Sequence, residues 1–186
     1  MSTADPPELT GLAARLGAAD LPPVHAWQPE FCGDMDLRIA RDGSWHYQGS
    51  PISRVRLVRL LSTVIRREGD EYFLVSPEQK LRIRVDDAPF VAVEMESEGQ
   101  GQTQRLLFRT NVNDVVAAGR EHPMRVVEHG PAAEPAPYLL VRDGLEALIS
   151  RAVYYQLAAM VIPASEGDAG VLGVWSDGCF FALGRV

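Results

Sequence analysis

Apolar and polar positions alternate with a period of two along much of the chain, the pattern of strands with one solvated face. The clearest cases are Leu81 to Val85 and Val91 to Glu96, where charged side chains fall between apolar ones. Apolar runs beside turn residues predict further strands over 37–40, 45–48, 72–75, 105–110, 124–128 and 171–175. The first two of these predict a hairpin, because Arg41-Asp42-Gly43-Ser44 joins them. The pattern therefore predicts mainly antiparallel sheet.

Helical periodicity appears in two segments of the N-terminal half. Ser53 is the predicted N-cap of a helix that runs to about Arg67, with Gly69 as its stop. A short amphipathic helix is predicted over residues 5–17. Between the two helices, three prolines in residues 21–29 exclude regular pairing, so this stretch is predicted to be an extended strap across the core.

An internal repeat gives the most informative sequence signal. Ile52-Ser53-Arg54 recurs as Ile149-Ser150-Arg151, and with the apolar positions that follow there are six identities over fourteen positions at an offset of 97. Arg-Asp-Gly precedes both segments and Glu-Gly-Asp follows both. Chance recurrence is the alternative, because the chain has 17 arginines. We interpret the repeat as a duplication that gives an α+β fold of two related halves, each a small, mainly antiparallel sheet with one helix.

The predicted domain organisation follows from this repeat. Residues 1–23 are an N-terminal helix and leader, and residues 24–129 an N-terminal α+β domain. Residues 130–137 are predicted to be a linker because three prolines lie there among small residues. Residues 138–186 are the C-terminal α+β repeat.

Composition narrows the class of protein. A chain of 186 residues that is 46% hydrophobic fits a soluble globular protein, and a net charge of −7 argues against a general nucleic-acid binder. No apolar run is long enough to span a bilayer, and the first residues lack the regions of a signal peptide, so we expect a cytoplasmic location. Two cysteines make neither a disulfide framework nor a four-thiolate zinc site.

Two long segments and several short ones carry a family resemblance. The long ones are His25 to Asp36 (HAWQPEFCGDMD) and Arg41 to Ile52 (RDGSWHYQGSPI), and the short ones lie at 72–75, 85–90, 108–112 and 173–176. Together they resemble the bacterial domain-of-unknown-function family 1285 over about residues 20 to 184. This resemblance implies a duplicated α+β core and a C-terminal half similar to pleckstrin-homology folds. It also implies a nucleotide-like ligand between the halves, in a signalling role.

The repeated helix starts point to an anion. An arginine in the first turn of a helix opposes the helix dipole at a cost of roughly 0.3 to 1 kcal/mol. Both repeats nevertheless have one, Arg54 after Ser53 and Arg151 after Ser150. Free backbone N–H groups beside a guanidinium are suited to phosphate. An ion pair with a neighbouring carboxylate is the alternative reading of both arginines.

Other residues join this predicted ligand site. Residues 54–84 carry eight basic side chains against four acidic ones, which predicts a patch that steers a phosphorylated ligand, or else a solvated face. Lys80, the sole lysine, belongs to this patch. Trp45 and Tyr47 are predicted to stack on a base, with core packing as the alternative. Asn111 is predicted to contact a ligand edge, or to form an Asx turn.

His25, Cys32 and Asp36 are the weak candidates for a metal site or a Cys–His enzyme, because thiolate, imidazole and carboxylate are metal donors. Their spacing matches no closed zinc motif, and a buried Cys32 beside a hydrogen-bonded His25 is the favoured alternative. No glycine-rich phosphate loop, G-x-S-x-G or H-E-x-x-H pattern is present. We therefore expect no cofactor or metal, and a binding function in preference to catalysis.

The sequence thus predicts a cytoplasmic ligand-binding or regulatory module that takes an anionic, nucleotide-like small molecule, with a signalling protein as a further partner. A hydrolase or metal-dependent enzyme that uses Cys32, His25 and Asp36 is one alternative. A protein-interaction module, whose surface would be the arginine face or an open sheet edge, is the other.

Overall fold

Two units make up the chain. The computed structural model describes residues 21–132, 134–164 and 170–185, so the helix predicted over 5–17 lies outside the described residues. The first unit ends at Asp87 and the second begins at Ala88. The boundary therefore lies well before residues 130–137, where the linker was predicted.

The N-terminal unit is a single mixed sheet with a helix in its middle. Its elements are β1 (Phe31–Ile39), β2 (Trp45–Tyr47), β3 (Ser50–Pro51), α1 (Val55–Ser62), β4 (Ile65–Glu68), β5 (Glu71–Val75) and β6 (Lys80–Val85). The described strands form a six-stranded sheet in the order β3-β2-β1-β6-β5-β4. The neighbours pair antiparallel, apart from β1 and β6, which are parallel. The first strand of the unit consequently lies beside the last.

The hairpin and the helix supply much of the core of this unit. Ile39 pairs with Trp45 and Leu37 with Tyr47, and all four side chains are buried. The helix α1 adds Leu57 and Leu61, one turn apart on its inner face. Residues 21–30 form no strand, as predicted.

One arginine attaches these N-terminal residues to the sheet. Arg66 of β4 donates from Nη1 to the carbonyl oxygens of Val24 and Trp27, at 3.1 and 2.9 Å. Val24 itself is buried.

The helix α1 is shorter than predicted. It ends at Ser62 and not near Arg67, because the hydroxyls of Ser62 and Thr63 donate to the carbonyls of Arg59 and Leu60, both at 2.6 Å. The β-branched residues that follow favour extended backbone, and Ile65 pairs with Leu74 of β5. Gly69, the predicted helix stop, instead forms the β4–β5 turn at a φ of 62°.

The C-terminal unit contains two sheets. Its elements are β7 (Phe90–Glu98), a 3-10 turn (Gly101–Thr103), β8 (Arg105–Thr110), β9 (Val115–Ala117), β10 (Met124–His129), β11 (Glu134–Arg142), β12 (Leu145–Ile149), α2 (Arg151–Ala158), β13 (Ile162–Pro163), β14 (Val171–Ser176) and β15 (Cys179–Arg185). Among the described strands, six form a sheet in the order β10-β11-β12-β7-β8-β9, and β13-β14-β15 form the other. The strands β12 and β7 pair in parallel. The likeness to a pleckstrin-homology fold stays a prediction.

Within the range 130–137, predicted as a linker, residues 130–132 lie in a turn and residues 134–137 are the start of a strand. The strand β11 pairs with β10 from Glu134 to Leu139. Its prolines Pro135 and Pro137 lie outside the part that pairs with β12, which begins at Tyr138. A missing N–H at these two positions therefore removes no bond to β12. Proline content alone gave the wrong assignment.

The order of elements fits the predicted duplication. In the first unit a hairpin (β1, β2) is followed by α1 and a meander (β4, β5, β6). In the second a hairpin (β11, β12) is followed by α2 and a meander (β13, β14, β15). Ile65 begins β4 and Ile162 begins β13, which is the offset of the sequence repeat. The copies differ in that the second meander forms a separate sheet. Within the described ranges, no helix is long and apolar enough to cross a membrane.

Candidate functional site

Trp45 and Tyr47, predicted to stack on a ligand base, belong to the core. Their side chains are 2% and 7% exposed, so neither ring presents a face to solvent. The alternative reading, core packing after a turn, is the one that the structure supports. His46 lies between them on β2 and is half-buried. A hydrogen bond of 3.0 Å joins its Nε2 atom to the Ser44 hydroxyl.

The two Ser–Arg helix starts are not equivalent. Arg54, and not Ser53, is the N-cap of α1, and no side chain caps this helix. In α2, Ser150 is the N-cap as predicted, and its hydroxyl accepts from the Val153 N–H at 3.4 Å. Arg151 is therefore the first helical residue, whereas Arg54 precedes its helix. The repeat aligns Arg54 with Arg151, so the starts of the two helices differ by one residue from the alignment of the sequence repeat.

Lys80 and Asn111 have structural partners. The ammonium of Lys80 lies 3.0 Å from a carboxylate oxygen of Glu68 and 5.0 Å from the centre of the Phe73 ring. Glu68 also binds Arg66, and these two cations lower the pKa of its carboxyl. The Asn111 amide oxygen accepts from the Val91 N–H at 3.0 Å, which ties the end of β8 to β7. Both side chains stabilise the fold.

The residues proposed for metal or thiol chemistry do not form a site. His25 and Cys32 are exposed, so the buried Cys32 of the alternative reading was also wrong. The Cys32 thiol donates to the carbonyl of Glu30 at 3.3 Å. Cys32 and Asp36 lie on one strand, where four residues span roughly 13 Å, too far for one ion. Among the described residues, no group of three His, Cys, Asp or Glu side chains could hold a metal.

Carboxylates neutralise much of the predicted basic patch. Four of the eight basic side chains in residues 54–84 have ion pairs with carboxylates: Arg66, Arg67, Lys80 and Arg82. Arg38 of β1 is paired in the same manner nearby. Half of the basic side chains of the patch are therefore paired with carboxylates. Its exposed arginines are concentrated on α1.

An open groove lies between β1, β6 and β5 of the N-terminal unit. Its volume is about 580 Å³. Asp34 of β1 pairs with Arg82 of β6, and Arg38 pairs with Arg84, so four residues of β1 run beside two of β6. The strand β1 therefore bulges between Asp34 and Arg38, and the bulged residues line the groove. An earlier shift in the same pairing contains Gly33, whose φ of 112° favours glycine. We call this cavity the β1–β6 groove.

Apolar and charged residues alternate along the strands that line the groove. The apolar ones are Leu37 and Ile83, which are buried, and the half-buried Met35, Tyr72 and Val85. The charged ones form what we call the rim: Asp34, Asp36, Asp70, Glu71, Arg82 and Arg84. The strand pairing places Arg82, Arg84 and Glu71 on the opposite face of the sheet from Tyr72, Ile83 and Val85. Four carboxylates against two guanidiniums give a net formal charge of −2.

Arg82 is the most heavily paired side chain of the rim. Its Nε donates to Asp34 at 2.6 Å and its Nη1 donates to Glu71 at 2.7 Å. These bonds raise the pKa of Arg82, and the bond from Arg82 holds the pKa of Asp34 below its usual value. Asp34 and Glu71 are thereby fixed on either side of β6. Asp36 has no ion-pair partner among the residues that the structure describes, which leaves its charge available to a ligand.

The sequence offers Asp36 as a metal candidate and places Arg82 and Arg84 in the basic patch, but it does not show that these residues meet in one groove. The alternation of Arg82 and Arg84 was assigned to a solvated face, and the acidic pair Asp34 and Asp36 on β1 carried no recognised motif. A signal was present in Gly33-Asp34-Met35-Asp36, where a glycine inside a predicted extended segment indicates a bulge.

The Arg38–Asp86 ion pair should make the stability of the protein depend on pH. Arg38 donates from Nε to both oxygens of Asp86, and this bonding lowers the pKa of Asp86, with smaller contributions from Arg84 and His46. A carboxyl whose folded pKa is depressed stabilises the protein above its unfolded pKa, about 3.9, and that stability is lost as pH falls through the folded pKa. Asp86→Asn should therefore lower the urea midpoint near pH 7, and this loss should shrink steadily as the pH falls below about 3.9. Asp70→Asn, at a fully exposed carboxyl, is the control, and an equal loss in both variants would contradict the assignment.

Family models match both units. Residues 22–88 match the N-terminal domain model of DUF1285, a domain of unknown function, and residues 89–183 match its C-terminal domain model. The two matches meet one residue from the division between the units.

Two crystal structures of DUF1285 family proteins are similar to the chain. The protein from Silicibacter pomeroyi DSS-3 is 47% identical, with a TM-score of 0.90, and the alignment covers 99% of this chain and 97% of that one. The protein from Shewanella baltica OS155 is 25% identical, with a TM-score of 0.54 and coverage of 67% and 91%. No curated protein matches the chain.

Proposed function

This chain belongs to the DUF1285 family, and from that premise we propose that it is a cytoplasmic regulatory module whose N-terminal unit binds a small molecule in the β1–β6 groove. The observation that carries the proposal is the groove itself. Its volume of about 580 Å³ falls within the range of roughly 300 to 1,000 Å³ that is usual for small-molecule sites. The bulge of β1 gives the groove its shape.

The charge of the rim selects the ligand. Arg82 is already neutralised by Asp34 and Glu71, so it offers little to an anion. Asp36 adds a carboxylate without an ion-pair partner in the described part of the chain. A ligand that carries an ammonium or guanidinium group matches the charge of the rim.

The nucleotide-like anion predicted from the sequence is the second candidate, at the start of α1. The observation in its favour is that the first turn of α1 has no acidic residue and no side-chain cap, while Arg54 is exposed at the N-cap. Backbone N–H groups at such a start donate hydrogen bonds to a phosphate. The signalling role that we propose for the protein is the same for either ligand.

Three matched probes test the groove. Phenethylamine, phenethyl alcohol and phenylpropanoate share a phenyl ring and differ in charge, and amide NMR spectra report where each binds. We expect the amine to bind best and to shift resonances of β1 and β6. Asp36→Asn should weaken the amine by about fivefold, the upper end for an exposed ion pair, and leave the alcohol unchanged. Met35→Trp, which fills the groove, should abolish binding of all three.

Two controls complete the experiment. Asp143→Asn, at a turn of the C-terminal unit, should leave the amine affinity unchanged. AMP and adenosine test the second candidate, because Arg54→Ala should weaken AMP by at least about tenfold and spare adenosine. Binding that Met35→Trp does not alter would remove the groove from the proposal. A preference for phenylpropanoate over the amine would overturn the ligand class alone.

A further inference from the structure

The outward face of α1 is basic and exposed. On the inner face Leu57 and Leu61 are buried, whereas Val55 is 55% exposed and Arg56 and Arg59 are both exposed. Arg56 and Arg59 are three residues apart, so their side chains project from the same side of the helix, about 4.5 Å apart along its axis. We call Val55, Arg56 and Arg59 the arginine face.

Most of the other arginines in the unit have a carboxylate partner. Arg38, Arg41, Arg66, Arg67 and Arg82 each lie within ion-pair distance of a carboxylate. In the part of the chain that the structure describes, no hydrogen bond or ion pair involves the guanidinium of Arg56 or Arg59. The helix contains no acidic residue. Two unpaired positive charges are thus concentrated on one surface of a protein whose net charge is −7.

The second repeat shows that the helix does not need these arginines to pack. Counted from the N-cap, α1 buries Leu57 and Leu61, and α2 buries Val153 and Leu157 at the same positions. At the positions of Arg56 and Arg59, however, α2 has an alanine and a tyrosine. The inner positions are therefore alike in the two copies, and the arginine face belongs to the first copy.

We propose that the arginine face docks an acidic segment of a partner protein. Charge complementarity favours carboxylates spaced by one helical turn, with an apolar side chain between them to cover Val55. Nucleic acid fits less well, because a protein with a net charge of −7 repels an extended polyanion. A membrane also fits less well, because the exposed part of an eight-residue helix offers little apolar area. This interaction is independent of the β1–β6 groove.

A peptide pair tests the proposal on the intact protein. One peptide has glutamates one helical turn apart around a central leucine, and its partner has glutamine in place of each glutamate. At physiological ionic strength the glutamate peptide should bind and shift amide NMR resonances of α1. The double variant Arg56→Ala/Arg59→Ala should weaken it about tenfold, the sum expected for two exposed ion pairs. Val55→Ser should weaken it too, whereas Arg151→Ala on α2 should not.

Charge reversal makes the test reciprocal. Arg56→Glu/Arg59→Glu should lose the glutamate peptide and bind a version with lysine at the same positions, and unchanged urea midpoints would show that the fold is intact. Equal binding of the glutamate and glutamine peptides would overturn the proposal. So would the loss of binding at physiological salt, or an affinity that Val55→Ser leaves unchanged. If the protein bound vesicles rich in phosphatidylglycerol, or a DNA duplex, through α1 more tightly than the glutamate peptide, the choice of a protein partner would be overturned.

Discussion

Replacing Trp45 by alanine should lower the free energy of unfolding by about 3 to 5 kcal/mol, the range for removal of a large buried aromatic side chain. Trp45 is 2% exposed and lies opposite Ile39 in the β1–β2 hairpin, so its removal leaves a cavity beside the centre of the sheet. Urea unfolding of both proteins, monitored by circular dichroism, measures the loss.

Trp45→Phe is the matched variant. The Trp45 indole Nε1 is buried without a hydrogen-bond partner among the described residues. Phenylalanine keeps most of the ring packing and removes this unsatisfied donor, so the loss should stay below about 1.5 kcal/mol. If Trp45→Ala instead cost less than about 1 kcal/mol and abolished ligand binding, the earlier stacking assignment would be right and the core assignment wrong.

Gly173→Ala should destabilise the C-terminal unit by about 3 kcal/mol, the upper range for overpacking. A Cβ at Gly173 would collide with the carbonyl oxygen of Phe181 on the paired strand, and it would lie 2.8 and 2.9 Å from two ring atoms of Phe180. The carbonyl is backbone in the β14–β15 ladder and cannot move without breaking strand pairing. Thermal unfolding measures the effect.

Gly184→Ala controls for the loss of a glycine from the same sheet. Among the described residues, no atom apart from those of its chain neighbours lies within 4 Å of a Cβ at Gly184, and this residue is exposed on β15. Its replacement should change the free energy of unfolding by no more than about 0.5 kcal/mol. Similar losses at the two glycines would show that strand flexibility, and not the collision, governs this sheet.

Alternating patterns predicted the strands well because they reflect a local property. The segment Leu81 to Val85 became β6, which starts one residue earlier, and Val91 to Glu96 lies within β7. A strand with one wet face imposes its period of two on the sequence wherever the strand lies in the fold. The order of hairpin, helix and meander could also be predicted, because the same short sequence motifs occur in the same order in both copies of the repeat.

Long-range pairing explains what the sequence could not give. The helix was extended to Arg67 because Val64 and Ile65 continue its apolar spacing, yet Ile65 pairs with β5. Residues 130–137 had the composition of a linker, but β10 lies alongside them. In both cases a partner strand outweighed the local signal.

The groove could not be predicted from the sequence, for the same reason. It depends on the shifted pairing between Asp34 to Arg38 and Arg82 to Arg84, two segments separated by most of the unit. The sequence shows the charges of these segments but not which of them meet. The predicted anion site relied on Ser53 and Arg54, where a local motif was available, and that site remains a prediction.

The parallel pairing of β1 with β6 determines when the N-terminal unit becomes complete during synthesis. Phe31 emerges from the ribosome early, but its partner Lys80 follows only after the hairpin, the helix and two further strands. Until then one edge of β1 exposes unpaired backbone groups, and the high contact order makes this closure a slow step of folding. A chain that stops at Val75 therefore has neither a closed sheet nor one wall of the groove. The shortest fragment that folds alone must extend through β6.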